Sequence, residues 1–187
     1  MALMLKSADP PDHDLIVRAQ SGDREAFGML AARHYDYVFR VAWRWAGNRT
    51  EAEDIAQEVF VRLARALGNF RGAAAFTTWL YSLTLNVARD MARKKKSERV
   101  KAEAWHVHAL TMGEAEQEPE DDQAARLWAA VRQLPDKQRE AVMLVYGEGK
   151  NHSEASDMMG CAEATVSWHV HEAKKRLKVL MKQAGDE

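Results

Sequence analysis

An all-α protein of two small helical domains joined by an acidic flexible linker is predicted by three observations. Glycine and proline are scarce, 10 and 4 in 187 residues, and the runs between them consist mostly of good helix formers. Apolar residues recur at steps of three and four. No stretch alternates apolar and polar residues between turn signals, as a half-buried strand would.

The first domain is expected over residues 12–98. A short helix from Asp14 to Gln20 meets a turn at Ser21-Gly22-Asp23, and a long helix follows from Arg24 to about Ala46. Gly47-Asn48 ends it. Thr50 then reads as the cap of the next helix, with Glu53 three residues later completing a capping box. That helix carries Ala56, Phe60, Leu63 and Leu67 at helical spacing and stops at Gly68. A loop from Asn69 to Ala73 precedes a further helix near Ala74, with the apolar stripe Phe76, Leu80, Leu83, Val87 and Met91.

Composition then changes. Lys94-Lys95-Lys96 is a basic run, and Thr111 to Asp122 contains Glu114, Glu116, Glu118, Glu120, Asp121 and Asp122 with no basic residue. Residues 99–122 are read as the linker, and its acidic stretch, with Gly113 and Pro119, is expected to be disordered when alone. The second domain is expected over 123–183. Pro135 suits the first turn of a helix running to Gly147. Asn151 can cap the next helix, with Glu154 at its third position. Gly160-Cys161-Ala162 makes a tight turn. The last helix carries Val166, Val170, Ala173, Leu177 and Leu180. A short helix, a glycine-containing turn and a longer helix form a helix-turn-helix.

Composition narrows the class. Basic and acidic residues nearly balance, 27 against 28, so net charge alone does not indicate nucleic acid. The single cysteine, Cys161, cannot build a disulfide framework, which points to a reducing cytoplasm. No apolar run reaches the ~20 residues that cross a bilayer, and the N-terminal segment is too short for a signal-peptide core. Metal and catalytic readings are poor. His169 and His171 lie two apart, on different helix faces, and His106-Val107-His108 has no second cluster at ligand spacing. No Gly-rich phosphate loop, nucleophile elbow or cofactor motif is present, and no enzyme activity is expected.

Three faces remain. Asp54, Gln57 and Glu58 share one side of their helix; they suit a basic partner helix, or simply complement the helix dipole. Ser82, Asn86, Arg89, Arg93 and Lys96 form one stripe. An amide followed by cations over four turns suits a nucleic-acid strand, and an ordinary solvated face is the alternative. The last helix carries Ser167, His169 and His171, then Lys174, Lys175, Arg176 and Lys178, and can enter a major groove. A purely structural helical hairpin is the alternative there.

The run from Glu51 to Leu63 (EAEDIAQEVFVRL) closely resembles the core-binding motif of extracytoplasmic-function sigma factors, a branch of the sigma-70 family. Asn69-Phe70-Arg71-Gly72, Phe76, Thr77 to Tyr81, Asn86 and Asp90 match that family's next block in order. Leu134-Pro135, Arg139-Glu140, Gly149, Gly160 and Thr165-Val166 follow its second domain. The resemblance implies a promoter-specificity subunit that acts by binding alone. Asp54, Gln57 and Glu58 would contact the β′ clamp helices of core RNA polymerase, which also offers its β subunit. Phe70, Arg71 and Gly72 would take a flipped base of the −10 strand, with Asn86, Arg89 and Arg93 holding the same region. Thr165, Ser167, His169, His171, Lys174 and Lys175 would meet the −35 duplex. An anti-sigma factor is an implied further partner.

The linker reach agrees with that reading. Two DNA elements about two turns apart lie roughly 70 Å from each other, and Val100 to Gln123 can extend roughly 80 Å. The reading helix departs from the family: Ser167, Trp168, His169 and Glu172 stand where Lys, Ser, Arg and Arg are usual, Ala164 replaces a glycine, and Ser156 replaces an alanine. Two other classes compete, a stand-alone helix-turn-helix regulator and a protein-binding helical adaptor. Neither needs the Asp54-Gln57-Glu58 motif followed by the Phe70 to Trp79 block.

Overall fold

A computed structural model describes residues 10–104 and 122–183, and every regular element among them is helical. They are α1 (Asp12–Gln20), α2 (Arg24–Ala46), α3 (Arg49–Ala66), α4 (Phe76–Ala104), α5 (Asp122–Arg132), α6 (Asp136–Val142), α7 (His152–Met159) and α8 (Glu163–Gln183). A 3₁₀ turn, Leu67–Asn69, follows α3, and a π-helical turn, Met143–Gly147, follows α6. Residues 105–121 of the expected linker, including His106 and His108, lie outside the described residues.

Local chemistry sets most boundaries. Asp23 caps α2, its Oδ1 accepting from the backbone N–H groups of Glu25 and Ala26 at 3.0 Å each. Gly47 ends the helix in the left-handed region, φ 79°, which costs glycine least. The chain turns straight into α3, so the cap is Asn48, accepting from Glu51 N–H at 2.8 Å, and Thr50 falls inside the first turn. Asn at an extended residue is among the strongest caps and wins over the later threonine. The expected box at Asn151 is present: its side chain accepts from Glu154 N–H and Glu154 accepts from Asn151 N–H, both at 2.9 Å. Two boundaries differ from expectation. Helix α4 starts at Phe76 rather than Ala74, and it continues past residue 98 to Ala104.

Helices α1 to α4 form a bundle in which α2 is central, packed on α1, α3 and α4. Leu30, Val38 and Val41 of α2 meet Ile55, Val59 and Leu63 of α3, all buried. Helix α4 lies against both α2 and α3, so its buried face is wider than a single stripe. Tyr81, Leu85 and Ala88 are buried beside Phe76, Leu80 and Val87, whereas Leu83 and Met91 are only half-buried. Phe60 is half-buried as well and stacks on Tyr35 with 6.0 Å between ring centres.

The C-terminal helices pack mainly around α8. Val131, Leu134, Val142 and Ala173 form one apolar cluster, and Ala155, Met159, Val166 and Val170 hold α7 on α8. Leu177 and Leu180 are half-buried. Gly160, φ 62°, makes the turn between α7 and α8.

The two halves also meet directly. Ala141, Met143 and Leu144 belong to the same buried cluster as the α2 core. Around them, Glu148 accepts from Tyr37 Oη at 3.1 Å and from Arg44 at 3.0 Å, and Arg44 also donates to the Gly147 carbonyl. The Arg44 guanidinium lies 5.0 Å from the Trp128 ring centre, and that of Arg139 lies 4.2 Å from Trp45. Apolar burial and planar cations on aromatic faces both hold this contact.

Candidate nucleic-acid interface

Asp54 and Gln57 are exposed on the outer face of α3, and Glu58 is partly so. Glu58 is not loose: it accepts from Arg62 at 2.7 Å, and Arg62 donates on to Asp90 of α4, also at 2.7 Å. Asp90 in turn binds Arg93. Hydrogen bonds from Arg62 and then Arg93 hold the Asp90 carboxyl below its ordinary range. This chain of alternating charge fixes the orientation of α3 relative to the basic end of α4. Between the two helices runs a groove of about 1060 Å³, with Glu51, Asp54 and Glu58 on one wall and Lys94, Lys95 and Arg99 on the other. Lys95 spans it to Glu51. The face is acidic at its outer edge and ordered, as a surface for a basic partner helix requires.

The loop between the 3₁₀ turn and α4 is positioned from beneath. Gln20 of α1 donates through Nε2 to the carbonyls of Leu67 and Phe70, each at 2.9 Å. Phe70 tucks its ring against Trp79, 5.2 Å between centres, and against Phe76, 5.6 Å. Arg71, Gly72, Ala73, Ala74 and Ala75 are exposed, with Gly72 at φ 72°. An aromatic shelf thus carries a short exposed loop with one cation, an arrangement that suits a single unstacked base.

The α4 stripe is divided. Asn86 and Arg93 are exposed. Arg89 is engaged: it donates to Asn86 Oδ1 at 2.6 Å and to Glu140 of α6 at 3.1 Å. Glu140 is only 3% exposed and also receives Lys137. In this closed arrangement the C-terminal half covers the middle of the stripe.

On α8 the expected set separates as well. Thr165, His171, Lys174 and Lys175 are exposed, with Lys174 5.3 Å from the Tyr146 ring centre. Ser167 is half-buried and shares a 2.8 Å hydrogen bond with His152 of α7. His169 is half-buried, with its Nδ1 buried and without a hydrogen-bond partner, and its ring packs edge-on against Trp168. Trp168 is 56% exposed.

Sequence reasoning missed Arg62, Tyr37, Arg44 and Glu148, and assigned Glu140 no role. The Glu58-Arg62 pair was available from its four-residue spacing. The others pair across half the chain, beyond any local pattern. Among the described residues no cluster of His, Cys, Asp and Glu could hold a metal, and no helix is long and apolar enough to cross a membrane.

Comparison with known proteins matches the Sigma-70 region 2 family over residues 30–98 and the Sigma-70 region 4 family over residues 124–177. The chain is 32% identical to the RNA polymerase sigma-H factor of Pseudomonas aeruginosa, with 92% of this chain and 97% of that protein covered. It is 30% identical to the ECF RNA polymerase sigma factor SigW of Bacillus subtilis, covering 87% and 92%. Among solved structures it resembles CnrH in complex with the cytosolic domain of CnrY, at 26% identity and TM-score 0.65, covering 92% and 97%. The fold is also that of the Bartonella quintana sigma factor RpoE solved with the anti-sigma factor NepR, at TM-score 0.66 and 22% identity, covering 84% and 98%. The region 2 match sets aside a stand-alone helix-turn-helix regulator, because that half of the chain is itself a sigma module. With both modules in order, and relatives matched over nearly their whole length, the chain belongs to the sigma-70 family as a sigma factor of the extracytoplasmic-function type.

Proposed function

We propose that this sigma factor grips core polymerase through Asp54, Gln57 and Glu58 and takes the −10 strand on the Phe70-Arg71-Gly72 loop and the Asn86-Arg89-Arg93 stripe. Residues 12–98 act as the module for the core and the −10 element, and 123–183 as the −35 module, with the segment between α4 and α5 as the tether. The observation that carries this reading is the ordered acidic face of α3 beside an exposed loop seated on Phe70, Phe76 and Trp79. Both surfaces sit on one rigid bundle, so an enzyme and a separated strand can be engaged together. Binding energy drives strand separation, and the protein is not an enzyme. It works in the cytoplasm, where the polymerase is.

The closed arrangement is incompatible with engaging two elements roughly 70 Å apart. The halves therefore separate on forming holoenzyme, freeing Arg89 from Glu140. An anti-sigma factor suits the same logic, since the Bartonella protein was solved with one and CnrH with the cytosolic domain of CnrY, and a protein that bridges both halves would hold the chain shut.

The test is a pull-down on core polymerase with Asp54→Ala/Glu58→Ala. Expected is a loss of core affinity of about 10-fold or more, from two or more charge-assisted contacts, with unchanged circular dichroism. Undiminished core binding by this variant would overturn the assignment.

A further inference from the structure

The first three turns of α8 hold no lysine or arginine: residues 163–173 read EATVSWHVHEA. Guanine is read in the major groove most often by a cation reaching O6 and N7, and that means is missing here. The polar side chains present are largely occupied. Ser167 is held by His152, the half-buried His169 ring packs against Trp168, and Glu172 pairs with Lys175 at 2.9 Å, which lowers the Glu172 carboxyl. What the helix presents outward is Ala164, Thr165, Trp168 and His171, all exposed. Positions 164, 168 and 171 are four and three apart, so they form one line along the helix. The indole, braced edge-on against the His169 ring at 5.0 Å, is the largest group on that line. Farther along α8, exposed Lys174, Arg176 and Lys178 supply cations for phosphates.

In the major groove the one apolar mark on a base edge is the thymine C5-methyl. We infer that Trp168 is the specificity-determining side chain of the −35 contact, and that with Ala164 it reads thymine methyl groups in place of a cation-read guanine. The inference rests on the −35 module proposed above, with α8 as its reading helix. The alternative occupant of an exposed tryptophan, a protein partner, is a separate outcome of the test.

Holoenzyme is reconstituted from the full chain and core polymerase, on promoters with a fixed −10 element and a randomised −35 region. Wild type is expected to select thymine at one or more −35 positions. Replacing the selected thymine by deoxyuridine deletes only the methyl and should weaken promoter binding about 4-fold, the equivalent of one buried methyl group. Trp168→Ala should be indifferent to that replacement, and Trp168→Arg should shift selection toward guanine. Absence of a thymine preference, or equal deoxyuridine sensitivity in wild type and Trp168→Ala, overturns the inference. So does a Trp168→Ala variant that loses core binding while keeping the −35 preference, since the indole would then serve a protein. Failure of the wild-type chain to bind core at all would instead sink the broader reading, and core binding is measured separately by gel filtration.

Discussion

His169 carries a prediction that concerns stability rather than DNA. Burial and the neighbouring Lys137 disfavour its protonated form, and Glu140 offsets this only in part, so its pKa lies below the ordinary 6.5. The unfolded chain therefore takes a proton at higher pH than the folded one. Stability is held above pH 6.5 and is lost as pH falls through 6.5 toward the lowered folded value. Melting temperature followed from pH 7.5 to 5.5 should fall for wild type, and His169→Gln should show a shallower slope. Parallel slopes would mean that the ring titrates as it does in water. At this scale helix phase decides which side chains meet water, and Asp54, Gln57, Thr165 and His171 are exposed. Ser167 and His169 are only half-buried, since α7 and α6 pack against α8, and no spacing along α8 reveals that.

Elements were legible where their ends carry strong local chemistry. Asp23, Asn151 with Glu154, and the glycines at 47 and 160 mark ends that the structure retains. Competition between adjacent signals was not legible, and Asn48 displaced Thr50 at the start of α3. Gly47 serves two purposes at once. It is left-handed, and a methyl there would come within 2.2 Å of Arg132 Nε from α5. Arg132 thus rests on the carbonyl end of α2, where the helix dipole favours a cation. Gly47→Ala should cost about 1–2 kcal/mol from the left-handed backbone alone, and should also push Arg132 off its seat. A fall in melting temperature of roughly 2–8 °C is expected by calorimetry. An unchanged melting temperature would show that the turn re-forms without strain.

Over the whole molecule, closure depends on a few long-range polar contacts around a shared apolar seam. Glu148 joins Tyr37 and Arg44, and Glu140 joins Arg89. Removing Glu148 leaves Arg44 and Tyr37 without their carboxylate partner, a loss of about 1.5–3 kcal/mol for bonds to a charged group. The double substitution Glu148→Ala/Glu140→Ala should expand the free chain, seen as a larger radius of gyration in small-angle scattering. Core polymerase should capture it faster than wild type, because less closure must be undone. An unchanged radius would mean that the apolar contact of Met143 and Leu144 suffices to hold the halves together.

The amino-acid order alone determined the helical class, the helix-turn-helix, most caps and the sigma-like motifs, because each depends on residues within one or two turns of one another. Whether Arg89 is free or held by Glu140, whether Ser167 pairs with His152, and how the halves close on one another were decided only in three dimensions. Those outcomes join residues far apart in the chain, whose meeting depends on how whole helices pack.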